Sequence, residues 1–330
     1  MRIGIVGAGI IGVTTAFELA ADGHEVTVFE RRSAAAEETS FANAGLVAPG
    51  YVTPWAAPGM PGKVLRYLLS RHAPVRLRWP LRGADFGWMA DWWRACRPET
   101  HMANRGRMQR LAFFSHARLR DITRQLRLEH DRSEGVLVLF RSEKERIAAQ
   151  AGLNLLREAQ VRFRELDDAG ARTVEPALNP DTPIAGAIEL LDDEVGNCRQ
   201  FAQMLKSAAQ HLGARFEFNS PVVRLASGEP AALWLRDEGQ PREFDAIVVC
   251  AALGSAPLLA PLGLRLPMTA VHGYSISAGI RQAVHAPRSA IMDERYKVAI
   301  ARMGQRVRVA GSAEIGGRLE RHHPGAIATL

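Results

Sequence analysis

Arg2-Ile-Gly-Ile-Val-Gly-Ala-Gly-Ile-Ile-Gly12, a helical run, and then His24-Glu-Val-Thr-Val-Phe-Glu30 read as strand, glycine turn, helix and second strand. Ile3, Ile5 and Val6 suit a buried parallel strand. Gly7 permits the sharp turn without Cβ strain, Gly9 leaves room for a pyrophosphate against the backbone, and Gly12 lets the helix approach the sheet. The unpaired N–H groups and positive dipole end of that helix attract phosphates. Val6, Gly7, Ala8, Gly9, Ile10, Ile11 and Gly12 are therefore the candidate cofactor-binding turn. The helix carries Ile11, Ala16, Leu19 and Ala20 at helical spacing and stops near Gly23, a residue suited to a left-handed C′ position. Glu30 ends the second strand, where a carboxylate accepts hydrogen bonds from an adenosine ribose. Strand, turn, helix, strand and terminal acid in this order point to dinucleotide binding.

The 330 residues are 47% hydrophobic and 23% charged, enough for two domains with their own cores. No run of about 18 uncharged apolar residues could span a bilayer. The first strand starts at the N-terminus without signal-peptide architecture, so the expected location is cytoplasmic, or peripheral on the inner face of the cell membrane. Cys96, Cys198 and Cys250 lack the spacing of a disulfide framework or zinc site and read as buried small hydrophobes; no metal site is expected. The net charge of +7 comes almost wholly from arginine, since Lys63, Lys144, Lys206 and Lys297 are the only lysines. The arginines spread from Arg2 to Arg321 rather than along one face with stacking aromatics, which argues against a nucleic-acid partner. The exception is Arg71, Arg76, Arg78, Arg82, Arg94 and Arg97, interleaved with Trp79, Trp88, Trp92 and Trp93. That segment suits a membrane interface, or else a packed helix with Phe86, Met89 and Trp93 on one side.

Pro49 to Gly62 is too rich in proline and glycine for regular structure. It reads as an ordered loop, because Tyr51, Trp55 and Met60 give it something to bury. Helical patterns run from Phe86 to Leu128, followed by a strand at Val136–Phe140 and a helix at Glu143–Ala159. Asn197 and Gln200 form a capping-box signature for a helix reaching Leu212 and ending at Gly213. Strands follow at Arg215–Phe218, Val222–Leu225 and Ala231–Arg236. Phe244 to Cys250 reads as a central parallel strand entering a glycine turn at Gly254. Asp192-Asp-Glu194 reads as a solvated turn before Asn197, and His322-His323 as a disordered tail. The expected fold is α/β: a Rossmann-type dinucleotide-binding domain, discontinuous in sequence, with a second α+β substrate domain. The expected divisions are 1–50 with 195–260 for the first, and 51–194 with 261–330 for the second.

Several further blocks carry a resemblance. Glu38-Thr-Ser-Phe-Ala-Asn-Ala-Gly45, Pro49-Gly-Tyr, Pro54-Trp-Ala-Ala-Pro-Gly59, Arg105-Gly-Arg-Met-Gln-Arg-Leu111, Val174-Glu-Pro-Ala-Leu178, His272-Gly-Tyr-Ser275, Lys297 to Arg302 and Arg308 to Glu314 span nearly the whole chain. With the Gly7 to Glu30 fingerprint, the chain resembles the FAD-dependent D-amino-acid dehydrogenases, small-subunit type, of the D-amino-acid oxidase superfamily. The glycine triplet and Glu30 alone also admit an NAD enzyme; the Ser40–Pro58 block argues for flavin.

The resemblance implies that Gly7, Gly9 and Gly12 hold the FAD pyrophosphate and that Glu30 and Arg31 hold the adenosine end. It places Ser40, Asn43, Gly45 and Leu46 near the flavin, the Val223 backbone beside the adenine, and Ala251 and Gly254 along the cofactor groove. Tyr51 and Tyr274 are candidates for lining the substrate pocket, and Arg302 for pairing with a substrate carboxylate, an arginine task. The implied reaction is oxidative deamination of D-amino acids, with electrons passed to a quinone-type acceptor. Two departures stand out. His272 occupies a position that is commonly lysine in the family, and nothing in Gly316 to Leu330 resembles the Gly-Leu-Arg-Pro and Gly-His-Gly segments that close the flavin site. The alternative expectation is a truncated or split chain that needs such a segment to complete that site.

Overall fold

Residues 1–67, 73–317 and 321–330 are described by a computed structural model. The opening alternation of apolar residues forms β1 (Arg2–Val6), α1 (Ile10–Ala21) and β2 (Glu25–Phe29), followed by β3 (Leu46–Val47), α2 (Met60–Tyr67) and β4 (Val75–Arg78). The long helical stretch is two helices, α3 (Gly83–Ala95) and α4 (Pro98–Leu126). Pro98 forces the break after Cys96, because proline fits only the first turn of a helix. Next come β5 (Ser133–Phe140), α5 (Glu143–Glu158), β6 (Phe163–Leu166), α6 (Asp168–Val174), β7 (Gly186–Val195) and α7 (Cys198–His211). The chain continues with β8 (Arg215–Glu217), β9 (Val222–Ala226), β10 (Ala231–Leu235), β11 (Arg242–Phe244), β12 (Ala246–Val249) and α8 (Ser255–Leu259). It closes with β13 (Val271–Gly279), β14 (Ala290–Asp293), β15 (Val298–Met303), β16 (Arg306–Gly316) and α9 (Pro324–Ile327).

Two units result, residues 1–43 with 198–269 and residues 44–197 with 270–330. The first boundary falls before residue 50 because Leu46 and Val47 pair antiparallel with Val195 and Glu194 and so join the second unit.

In the first unit, β12, β1, β2 and β8 make a parallel sheet in that order. The strand expected at its centre, β12, is at its edge among the described residues. Its apolar residues serve faces instead, as Ile247 and Val249 pack with Val6, Phe29, Leu225, Leu233, Leu235 and Phe244 in a core shared with the antiparallel sheet β9–β10–β11. Gly4 sits under Phe244, where a Cβ would stand 3.0 Å from the ring, so this interior-strand glycine answers to a close approach.

In the second unit, nine strands make one mixed sheet, with the path β13-β16-β15-β14-β5-β7-β3 and with β4 on β16 and β6 on β7. Period-two alternation along β5 sends Val136, Val138 and Phe140 into a core with Leu153 and Leu156 of α5. Leu137 and Leu139 go to a second core with Ala171 of α6.

Several local readings change. Phe86 and Trp93 are exposed rather than packed, and so is Trp55 of the Pro49–Gly62 loop. Arg71 of the basic segment lies outside the described residues. His322 and His323 are not a loose tail: the His322 ring meets Tyr274 edge to face, and His323 Nδ1 accepts the Ala326 N–H to cap α9. Among the cysteines, Cys96 is buried, while Cys198 and Cys250 are half-buried.

Candidate cofactor site

The turn from β1 into α1 is built from backbone and missing side chains. Gly7 adopts φ +102°, and a Cβ there would stand 2.6 Å from the Cys250 carbonyl oxygen. A Cβ on Gly12 would stand 1.8 Å from the Gly7 oxygen, so helix and turn touch. Gly9, the N-cap of α1, makes no side-chain cap, and a Cβ on it would meet only Ser40 Oγ, at 3.4 Å. Two N–H groups of this turn receive side-chain oxygens: Ala8 donates to Glu30 Oε2 at 2.7 Å and Ile10 donates to Ser40 Oγ at 3.0 Å. Glu30 Oε1 accepts from Arg32 N at 2.9 Å. Val6 and Ala8 are buried, and Ile11 is exposed at the first turn of the helix.

The other first-unit candidates lie on neighbouring elements. Arg31 grips Glu38 with Nε at 2.9 Å and Nη2 at 2.5 Å, and that bond raises the guanidinium pKa against the lowering by burial. Asn43 ends the first segment of this unit. Ala251 follows β12 beside Gly7, its Cα 3.3 Å from the position of a Gly7 Cβ, and its carbonyl accepts the Gly254 N–H at 2.8 Å. Val223 is exposed on β9.

Gly45, Leu46, Tyr51, Tyr274 and Arg302 belong to the second unit. Gly45, at φ +73°, has its Cβ position filled by Met303 Cε and the Gly196 oxygen. Tyr51 donates its hydroxyl to Glu294 Oε1 at 2.5 Å, and Lys297 Nζ donates to the same hydroxyl at 3.3 Å. Burial first, then the Glu294 charge and hydrogen bond, drive the Tyr51 pKa well above the usual phenol range. Tyr274 on β13 donates to Glu314 at 3.3 Å and accepts from His323 N at 3.0 Å. Arg302 on β15 donates through Nε to the Gly304 carbonyl at 3.2 Å and has no carboxylate partner among the described residues. Each of these three side chains has its own set of partners.

Residues 2–330 match the family described as FAD dependent oxidoreductase. The chain belongs to this family. Curated relatives include a D-amino acid dehydrogenase of Cereibacter sphaeroides, 45% identical over 96% of this chain and 73% of that protein. Another, from Rhizorhabdus wittichii, is 43% identical over 100% of this chain and 80% of that protein. Among solved structures, glycine oxidase from Geobacillus kaustophilus superposes with TM-score 0.73 at 20% identity, over 100% of this chain and 76% of that one. An L-alpha-glycerophosphate oxidase from Mycoplasma pneumoniae with FAD bound gives TM-score 0.68 at 18% identity, over 100% and 76% of the two chains. These structures share the fold.

The family's cofactor is FAD, and the β1–α1 turn of this oxidoreductase fits it. The Ala8 and Ile10 N–H groups already take oxygen acceptors, Glu30 Oε2 and Ser40 Oγ, and the surface over Gly9 is open: a Cβ there would meet only Ser40 Oγ, at ordinary contact distance.

Sequence reasoning missed the acids of β7. Asp192-Asp-Glu194 is the end of a strand and not a solvated turn: Asp193 and Glu194 are each 1% exposed. Asp192 pairs with Arg162. Burial pushes Glu194 up, but His116, whose Nε2 lies 3.7 Å away, and the hydrogen bond from Arg132 Nε at 2.6 Å outweigh it and hold the carboxyl at about 2. Arg120 Nε lies 3.4 Å away on the same oxygen. Asp193 behaves oppositely: burial raises it to about 6, against the lowering by the Gly50 and Tyr51 N–H groups. The available signal was the absence of Gly, Pro, Asn or Ser between Leu190 and Val195, which leaves the two aspartates as the only turn formers in the run.

Proposed function

We propose that this flavoenzyme oxidatively deaminates D-amino acids to 2-oxo acids and ammonia, and that a quinone-type acceptor takes up the electrons. The observation that carries the reading is 43% identity with a D-amino acid dehydrogenase over the whole chain. FAD, when bound, supplies the two-electron acceptor for a hydride leaving the substrate Cα. The first unit is the FAD-binding domain and the second the substrate domain. Gly7, Gly9 and Gly12 receive the pyrophosphate, Glu30 and Arg31 the adenosine end, Val223 the adenine, and Ala251 with Gly254 one wall of the groove. Ser40, Asn43, Gly45 and Leu46 run along the flavin. Tyr51 and Tyr274 present ring faces to the substrate, since their hydroxyls are engaged by Glu294 and Glu314. Arg302, without a carboxylate partner among the described residues, takes the substrate carboxylate. The amine reacts in its neutral form, and water then hydrolyses the imino acid, so no side-chain nucleophile is required.

A peripheral membrane contact fits the same reading. Trp79 is 78% and Trp93 67% exposed beside the arginines of the Arg76–Arg97 segment, an arrangement suited to an anionic interface. No helix among the described residues is long and apolar enough to cross a membrane.

The deciding experiment is anaerobic addition of D-alanine, then other D-amino acids, to the purified chain while its visible absorption is recorded. Bleaching of the flavin bands supports the reading. A yellow protein that no D-amino acid bleaches overturns the substrate assignment, and a colourless one favours a chain that needs further residues to hold FAD.

A further inference from the structure

The segment from Ala44 to Tyr51 is fastened to the second unit at four points. Leu46 and Val47 pair with Val195 and Glu194. Gly196 N donates to the Gly45 carbonyl at 2.9 Å. Gly50 N donates to Asp193 Oδ1 at 2.9 Å. The Tyr51 hydroxyl ends on Glu294, which Lys297 also grips at 2.6 Å. Gly50 has no spare room, because a Cβ there would stand 3.1 and 3.2 Å from the two Asp193 oxygens.

Asp193 is the unusual member. It is almost fully buried, and Oδ2 has no hydrogen-bond partner among the described residues. A buried carboxyl with one idle oxygen is costly to keep, and structure alone asks only for one acceptor facing Gly50. The neighbouring residue keeps the strand end from yielding: Glu194 is locked between Arg132, Arg120 and His116.

We propose that Asp193 is a positioning residue, holding the backbone at Gly50, next to the Tyr51 N–H that closes on the Ala48 carbonyl, so that the run from Gly45 to Tyr51 keeps one shape and delivers the Tyr51 ring against the Glu294–Lys297 pair. That this run faces the flavin rests on the functional reading above; that Asp193 holds it does not. The residue touches the segment's backbone and acts on the site through Tyr51.

The test compares hydrogen exchange in the full chain for wild type, Asp193→Asn, Asp193→Ala and Asp193→Leu, the last keeping volume should the alanine variant not fold. Asp193→Ala and Asp193→Leu are expected to speed exchange of the Gly50 and Tyr51 amides about tenfold or more, while α1 amides stay unchanged. Asp193→Asn, which retains an acceptor, should restore protection to within roughly threefold of wild type. In flavin-loaded protein, the alanine or leucine variant should shift the flavin bands and the asparagine variant should not. Unchanged exchange at Gly50 and Tyr51 overturns the proposal, and so does an equal rise across the whole chain. If the exchange pattern holds but D-amino acids bleach no variant and no wild type, the positioning role stands and the substrate assignment falls.

Discussion

The β1–α1 turn and the Gly45–Tyr51 segment solve the same problem, holding a short irregular run in one shape, by opposite means. The turn is held by what is missing: two side chains, at Gly7 and Gly12, are reduced to hydrogen so that backbone meets backbone, Gly7 against Cys250 and Gly12 against Gly7. The segment is held by what is added: carboxylates from β7 and from the β14–β15 turn reach its backbone and its tyrosine. A site made by omission leaves no slack for substitution, whereas one made by acids inherits their titration.

The sharpest way to break the first half of this contrast is Gly12→Val. A single Cβ is already 1.8 Å from the Gly7 oxygen, so no flavin-bearing protein is expected, read as a colourless or aggregated product. Next in size is Glu194→Ala, which removes the carboxylate that Arg132, Arg120 and His116 share, although Arg132 keeps Glu134, and should cost on the order of 3 kcal/mol near neutral pH in urea unfolding. Because Glu194 is held at about 2 against an ordinary 4.5, its contribution is present above pH 4.5 and fades as pH falls through 2; the gap between wild type and variant should close over that window.

Asp193→Asn tests the adjacent acid with the opposite sign. The folded value of about 6 lies above the ordinary 3.8, so the protonated form is favoured on folding and its stabilisation is lost as pH rises from 3.8 through 6. Asparagine cannot ionise, so the variant should match wild type near pH 4 and exceed it by up to about 3 kcal/mol at pH 7.5, measured by parallel melts. The smallest effect is Tyr51→Phe. Losing the hydrogen bond to Glu294 should cost about 1.5 kcal/mol with flavin binding retained, measured by urea midpoint and flavin content.

The contrast also explains what was legible in the sequence. Gly7, Gly9, Gly12, Glu30 and the φ +84° stop at Gly23 act within a 30-residue window, so spacing alone exposes them. The bond from Gly50 to Asp193 spans 143 residues and that from Tyr51 to Glu294 spans 243, and no local pattern reports such pairs. Asp192-Asp-Glu194 looked solvated because three consecutive acids are ordinarily surface residues; the arginines and histidine that reverse this come from α4 and the stretch before β5. The apolarity of β12 is real, but it measures faces covered and not rank within a sheet, which is why a strand at the edge among the described residues read as a central one. Phe86 and Trp93 have the hydrophobicity of a packed stripe and yet are exposed, a distinction that periodicity alone does not make.

The parallel pairing of β2 with β8 carries a cost of a different kind. On the side away from β1, Thr27, Val28 and Phe29 pair with Arg215, Phe216 and Glu217. A ribosome adding roughly 5–20 residues per second therefore leaves the outer edge of β2 uncovered for about ten seconds or longer. Throughout that interval the nascent chain displays a short apolar strand with open hydrogen-bonding groups, while most of the strands and helices of the other unit are being made behind it. The stretch that announces the cofactor first in the sequence is thus completed only after most of the other unit's elements have been made, and its yield in a cell depends on what shields that edge in the meantime.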